Sequence, residues 1–425
     1  MRGLCDNRAD MVGATRFFRN PKVSAGEIIA TAAARTAEAS AGRPVLLIAD
    51  TSEINFEAKA GRKRGLGRVG NGTDVGLFVH PALVVEAEGP PMVLGIAGAS
   101  IWRRTKTKAA DYQTQPIETK ESHRWIQTAL SGRAALADTA VVTIVHDRES
   151  DIYEVFARVP QLDSSAPLTH LLVRSHYDRA LVGKGERLNA RVDGWATLET
   201  VSFEMDARQG RPAREVTLAL RAGSVVLCRP RLTDPSDAAE VSINVVDARE
   251  IGAPPGQSPI HWRLLTTHAV DDAAQAAAVV DLYRRRWIVE QLFRTLKSKG
   301  MGIEDSFIAD GAALENLAAA ALIAAAEVMQ CVQARGEAGN LIPATRLFAP
   351  DDLPVLEVVG RSLEGRTQKQ KNPHPPHSLA WATWVVARLG GWKGYEKERP
   401  PGPITMIKGL RRYRDIANGF ALAQQ

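Results

Sequence analysis

The chain has 425 residues, long enough for two or more domains. Its 45% hydrophobic and 24% charged content is ordinary for a soluble globular protein, and a net charge of +6 fits a polyanionic partner. Cys5, Cys228 and Cys331 are too few and too scattered for a disulfide framework or a zinc site, so a reducing cytosol is expected. The first 20 residues carry Arg2, Arg8, Arg16 and Arg19 without an apolar block, which argues against a secretory signal. The most apolar run, Leu317 to Ala326, lies between Glu315 and Glu327 and falls short of the roughly 20 residues that span a bilayer. Being mostly Ala, it reads as a tightly packed core helix, and no membrane partner is expected.

In chain order, residues 1–20 are short and polar. Ser24 with Glu27 three residues on forms a capping box for an Ala-rich helix that ends at Gly42 and Pro44. Val45 to Asp50 is a continuous apolar run that stops at an acid, as in a strand covered on both faces. Residues 57–76, with Lys59, Arg62, Lys63, Arg64 and Arg68 among glycines, read as a mobile loop. Strands over Leu77–Glu86 and Met92–Ile101 follow, turning at Gly89-Pro90-Pro91, then a basic segment at 103–108 and a helix from about Lys120 to Leu130. Val141 to Asp147 repeats the apolar run that ends in aspartate, and Asp151 with Glu154 reads as the cap of the next helix. After a strand at Leu171–Arg174, residues 175–260 hold short alternating segments such as Val216–Leu220 and Val225–Leu227, an antiparallel β insertion. Trp262–Thr266 is a strand, helices start near Asp272 and Ala312, 361–377 reads as a linker, and the last 45 residues are helical with breaks at Gly390-Gly391 and 399–403.

The segment Tyr283 to Lys297 is dense in charge and aromatics, lacks Gly and Pro, and predicts one continuous helix. At about 100° per residue, Tyr283, Arg286, Glu290 and Lys297 fall within an arc of about 60° on one face. One carboxylate flanked by two cations and a phenol can hold a metal ion beside a phosphate. Asp50 and Asp147 are the carboxylates that can join Glu290, because ligands gather at the C-terminal ends of strands in α/β sheets. Three carboxylates without Cys or His make a hard, oxygen-rich site suited to Mg²⁺ or Mn²⁺. Two such ions about 3.5–4 Å apart can activate an attacking oxygen and stabilise a leaving one in phosphoryl transfer. Tyr283, Arg286 and Lys297 would hold a nucleic-acid backbone by charge-assisted hydrogen bonds. Each residue also has a plainer reading: Asp50 as a turn residue, Asp147 as a helix cap, Glu290 in a solvated ion pair, Trp287 and Phe293 in the core.

Asp50-Thr51-Ser52, Asp147-Arg148-Glu149-Ser150-Asp151 and the Tyr-x2-Arg-x3-Glu-x6-Lys spacing at 283–297 resemble the motifs of bacterial DDE transposases. The last pattern resembles that of the insertion-sequence-four family. Similarity runs from Arg16-Phe17-Phe18-Arg19-Asn20-Pro21 to the C-terminus and includes Lys120 to Trp125 and Ala387 to Gly391.

The resemblance implies an α/β fold: a ribonuclease-H-like core with an antiparallel β insertion and a C-terminal helical region. The corresponding divisions are an N-terminal helical remnant of an end-binding region at 1–43, the first part of the core at 44–174 and the insertion at 175–265. Core helices carrying Glu290 at 266–335, a linker at 336–377 and a dimerisation region at 378–425 complete it. It implies a DNA transposase in which Asp50, Asp147 and Glu290 bind two Mg²⁺ or Mn²⁺ ions. The implied course is a nick at the transposon end, attack of the 3′-hydroxyl on the opposite strand to form a hairpin, reopening, and joining to target DNA. Trp262 matches a tryptophan that stacks on a flipped base, its plainer reading being a half-buried core residue. Tyr283, Arg286 and Lys297 match residues that hold DNA near that nucleotide. Expected partners are transposon inverted-repeat ends, target DNA and a second protomer in a synaptic homodimer, in a cytoplasmic, nucleoid-associated protein.

Two departures accompany the resemblance. Family members carry a helical end-recognition domain ahead of the Arg16 stretch, where about 15 residues stand here. A start further upstream, a remnant, or a short inhibitor-like form that dimerises with full-length enzyme are the expected accounts. Leu77-Phe78 stands where the best-known member has two tryptophans, so contacts of that loop do not carry over. A nuclease of the same core acting on branched DNA is the remaining rival.

Overall fold

The computed structural model describes residues 8–104, 111–112, 114–163, 167–205, 213–298, 300–395 and 398–423; Cys5 and the basic residues at 105–108 lie outside them. Along the chain come helices α1 (Arg8–Arg19) and α2 (Ala25–Ser40), and strands β1 (Pro44–Ala49), β2 (Ser52–Asn55), β3 (Gly67–Val69), β4 (Asp74–Glu86) and β5 (Val93–Trp102). Helix α3 (Arg124–Ala135), β6 (Val141–His146), α4 (Tyr153–Arg158), β7 (Leu168–Arg174) and α5 (Leu188–Asp193) follow. Next are β8 (Glu199–Met205), β9 (Arg214–Cys228), β10 (Glu240–Ile251) and β11 (His261–Thr266). The chain then continues through α6 (Ala273–Arg284), α7 (Ile288–Leu296), α8 (Gly311–Ala334), α9 (Leu353–Leu363), α10 (Leu379–Leu389) and α11 (Pro403–Ala423). This is a mixed α/β protein of two compact units, one of Ala41–Asp50 and Lys108–Trp287, the other of Met1–Ser40, Thr51–Thr107 and Ile288–Gln425.

In the first of these units β1, β6 and β7 run parallel side by side. Val45, Leu46, Leu47 and Ile48 are all fully buried, so β1 is covered on both faces and its unbroken apolar sequence is explained. Beyond β7 the sheet turns antiparallel through β11, β10, β9 and β8. The two short segments expected at 216–220 and 225–227 are one strand, β9, paired with β10 without interruption from Thr217 to Cys228. Gly223 lies within it, where the Trp195 ring packs so closely that a Cβ would come 2.9 Å from the nearest ring atom. Asp272 caps α6, accepting the Gln275 amide at 2.8 Å.

The second unit is built on β4, which pairs antiparallel with β2, β3 and β5. Ser24 accepts the Glu27 amide at 3.2 Å and its hydroxyl meets the Glu27 carboxylate at 3.1 Å, which starts α2 as the capping pattern predicts. Helices α2 and α8 pack on β5, and the small Ala side chains of α8 let the elements approach closely. Among the described residues α8 is the one helix long and apolar enough to cross a membrane, and 67% of its most apolar window is buried inside the protein. The apolar length expected from Leu317–Ala326 alone is corrected, because the helix continues its apolar face past Glu315 and Glu327, while its burial agrees with the reading as a core helix.

Residues 8–19 form a helix, tied down where Asn316 donates to the Phe18 and Val23 carbonyls at 3.0 and 2.9 Å. Two further expectations are corrected in this unit. Residues 57–76 are an ordered 3₁₀ turn, a strand and a Gly-rich turn rather than a loose loop. The Lys63 ammonium donates to the Ser306 and Ile308 carbonyls at 2.7 and 2.6 Å, and burial pulls its pKa down to about 8. The stretch read as a linker carries α9 and enters a second apolar cluster in which Phe348, Val355, Leu356 and Val359 pack with Trp381, Trp384 and Val385 of α10. Burial of each such side chain contributes roughly 1.5–3 kcal/mol, which outweighs the polar composition of the flanks.

Helices α10 and α11 cross so closely that a Cβ on Gly409 would sit 1.9 Å from the Val386 carbonyl oxygen. Gly409→Ala is predicted to destabilise the protein by about 1–3 kcal/mol through overpacking, measured as a lowered urea midpoint. An unchanged midpoint would show that the two helices part without cost.

Candidate active site

The apolar cores of β1 and β6 fix their register: Pro44 pairs with Val141 and Ile48 with Val145. Continuing that register by two residues sets Asp50 beside Asp147, each one residue past the end of its strand, with backbones roughly 4.8 Å apart. The same reasoning on β6 and β7, where His146 pairs with Val173, sets Arg174 beside Asp147. One row across three parallel strands therefore reads Asp50, Asp147, Arg174.

Asp147 stands at the start of the 3₁₀ turn Arg148–Ser150, but its side chain makes no capping hydrogen bond. The plain cap reading is therefore not what occupies this carboxylate. The expected cap role of Asp151 is also corrected. Asp151 is buried and accepts the His176 and Tyr177 amides at 2.6 and 2.8 Å and the Arg179 Nε at 2.7 Å. It is an anchor for the turn that follows β7, and α4 begins two residues later at Tyr153.

The helix expected over 283–297 is interrupted. Helix α6 ends at Arg284, a 3₁₀ turn spans Arg285–Trp287, and α7 begins at Ile288. Asp281 draws Arg284 and Arg285 back along the helix, at 3.4 and 3.1 Å. Arg286 is left to donate from Nη1 to Asp50 Oδ2 at 2.8 Å. A 3₁₀ turn advances about 120° per residue rather than 100°, so the single-face wheel does not hold across it. Tyr283 is buried, and its hydroxyl reaches Asp147 Oδ1 at 3.5 Å, long for a hydrogen bond. Burial pushes the Tyr283 phenol up to about 12, with Asp147 adding to the rise and Arg286 and Arg174 opposing it, so it is a proton donor at neutral pH. Trp262, half-buried on β11, meets the Tyr283 ring edge-on at 5.5 Å between centroids.

Five of the predicted residues, Asp50, Asp147, Trp262, Tyr283 and Arg286, share one unit and a connected set of contacts, the Arg286 guanidinium lying 5.9 Å from the centre of the Tyr283 ring. Glu290 and Lys297 belong to the other unit, Glu290 half-buried in the first turn of α7 and Lys297 in the turn that follows it. Among the described residues no three His, Cys, Asp or Glu side chains gather closely enough to hold a metal ion. The pair that does gather offers only carboxylate oxygen and holds a cation, the Arg286 guanidinium, against Asp50. That donor chemistry fits Mg²⁺ or Mn²⁺. Arg174 was missed by sequence reasoning, although a charged residue closing an apolar strand is the same signal that marked both aspartates.

A model of the transposase DDE domain matches residues 95–326, just over half of the chain. The chain belongs to this family, the DDE-domain transposases. They cut nucleic acid, their substrate is DNA, and they generally use divalent metal ions. The matched stretch contains Asp147, Trp262, Tyr283, Arg286, Glu290 and Lys297, and Asp50 precedes it.

Asp151→Ala would leave the Arg179 guanidinium, 9% exposed, without its carboxylate. A loss of about 3–5 kcal/mol in unfolding free energy is predicted from urea denaturation, because the uncompensated charge stays buried. A loss below about 1 kcal/mol would mean that the turn after β7 does not depend on this anchor.

Proposed function

We propose that the chain is a cut-and-paste DNA transposase of the insertion-sequence-four family, similar to that of transposon five, with a ribonuclease-H-like core. The observation that carries this reading is the β1–β6 register, which sets Asp50 and Asp147 side by side at neighbouring strand ends. The antiparallel strands β8 to β11 lie in sequence between Asp147 and Glu290, where the family has its insertion.

Asp50 and Asp147, with Glu290 from the start of α7, would hold the metal ions. When bound, two Mg²⁺ or Mn²⁺ ions sharpen the attacking oxygen and stabilise the leaving oxygen of an in-line displacement. The remaining work falls to side chains. Arg286, Tyr283 and Lys297 grip phosphates of the transposon end, and the neutral Tyr283 phenol donates its proton rather than repelling the backbone. Arg286 donates to Asp50 at 2.8 Å, so phosphate and carboxylate compete for one guanidinium. Trp262 stacks on a base turned out of the duplex, the distortion that lets a 3′-hydroxyl reach the opposite strand and close a hairpin. Reopening of the hairpin and strand transfer to target DNA complete the course, with two protomers joined through α10 and α11.

The test is nicking of a duplex bearing the element's terminal inverted repeat, with Mg²⁺ or Mn²⁺ present. Asp50→Asn, Asp147→Asn and Glu290→Gln are each predicted to lower the rate on the order of 10³-fold or more, while gel-shift binding persists. EDTA abolishes nicking by the unmodified chain. Activity retained in any of the three variants would remove that residue from the mechanism.

A further inference from the structure

Phe203 lies on β8, the last strand of the antiparallel run, where Val201, Phe203 and Met205 are half-buried and Ser202 and Glu204 are exposed. Its ring is nearly parallel to that of Trp262, with 11° between planes and 6.4 Å between centroids. Rings in face contact lie roughly 3.5–4 Å apart. At 6.4 Å the two are either slid past one another or parted by about the thickness of a further ring. Either way, neither ring covers more than part of the other's face. The Arg284 guanidinium stacks on Phe203 at 3.7 Å from its centroid. A connected path of flat groups therefore runs from Asp147 through Tyr283, Trp262 and Phe203 to Arg284, all within one unit.

We propose that Phe203 and Arg284 extend Trp262 into a two-ring platform that holds an extrahelical DNA nucleotide, its base on the rings and its phosphate toward Arg284. This rests on the reading of Trp262 as a base-stacking residue. Sequence tolerance follows, since every base has a π face. A guanidinium stacked on a ring keeps its N–H edges directed outward in its own plane, parallel to the ring; Arg284 turns one toward Asp281 at 3.4 Å, and a phosphate can accept the others. A purely structural Phe at this half-exposed edge position would be replaced by Leu at little cost, whereas a stacking surface would not.

The probe is a hairpin-tipped DNA duplex with 2-aminopurine at the tip, titrated with the full chain and followed by fluorescence. The unmodified chain and Phe203→Tyr are expected to quench it. Phe203→Leu is expected to bind about tenfold more weakly with the quench largely lost, and Arg284→Ala to lower the salt dependence by about one phosphate contact. Phe203→Met is the second aliphatic variant should Leu perturb folding, which circular dichroism reports. If both aliphatic variants quench like the unmodified chain while Trp262→Ala does not, the platform is overturned and the Trp262 reading stands. If Trp262→Ala also quenches normally, or the unmodified chain fails to quench, the Trp262 reading falls and the platform with it.

Discussion

Two carboxylates held side by side repel one another. The strands before Asp50 and Asp147 are paired from Pro44 with Val141 to Ile48 with Val145, so the two acids cannot slide apart to relieve the repulsion. Val45 to Ile48 and Val142 to Val145 are buried, and a one-residue slip would either draw a strand-end aspartate toward the apolar interior or push an apolar residue out of it. Hydrophobic burial thus fixes the register, the register fixes the charges, and the charges require a cation. Everything proposed for this chain follows from that sequence of causes.

The protein supplies one cation from its own sequence. Asp281 holds Arg284 and Arg285, and the 3₁₀ turn presents Arg286 to Asp50. The pair is partly buried, with side-chain exposures of 11% and 21%, so it is stronger than a surface ion pair yet open to exchange. The break between α6 and α7 also lets Tyr283 stay buried against Trp262 while Glu290 starts a new helix.

Much of this was legible in the sequence because its causes are local. Two apolar runs ending in aspartate, the Ser24–Glu27 cap and the Ala-rich α8 each depend on neighbours a few residues away. The fine spacing of Tyr283, Arg286, Glu290 and Lys297 was also visible, but not the turn that breaks their common face, since that turn depends on which acid each arginine finds. Lys63 looked like one more loop cation because its partners, Ser306 and Ile308, stand more than 240 residues further on. Asp151 looked like a cap because nothing near it in sequence shows that Arg179 and two amides converge on it. Phe203 and Arg174 acquire meaning only through pairing with distant strands.

Iron-directed cleavage tests most directly whether Asp50 and Asp147 share a divalent cation. Fe²⁺ bound in place of Mg²⁺, with ascorbate and peroxide, releases hydroxyl radicals that cut the backbone next to the ion. Fragments ending close to residues 50 and 147 are predicted, suppressed by excess Mg²⁺ and lost in Asp50→Asn and Asp147→Asn. Cuts that fall elsewhere, or that excess Mg²⁺ leaves unchanged, would contradict a shared metal at these strand ends.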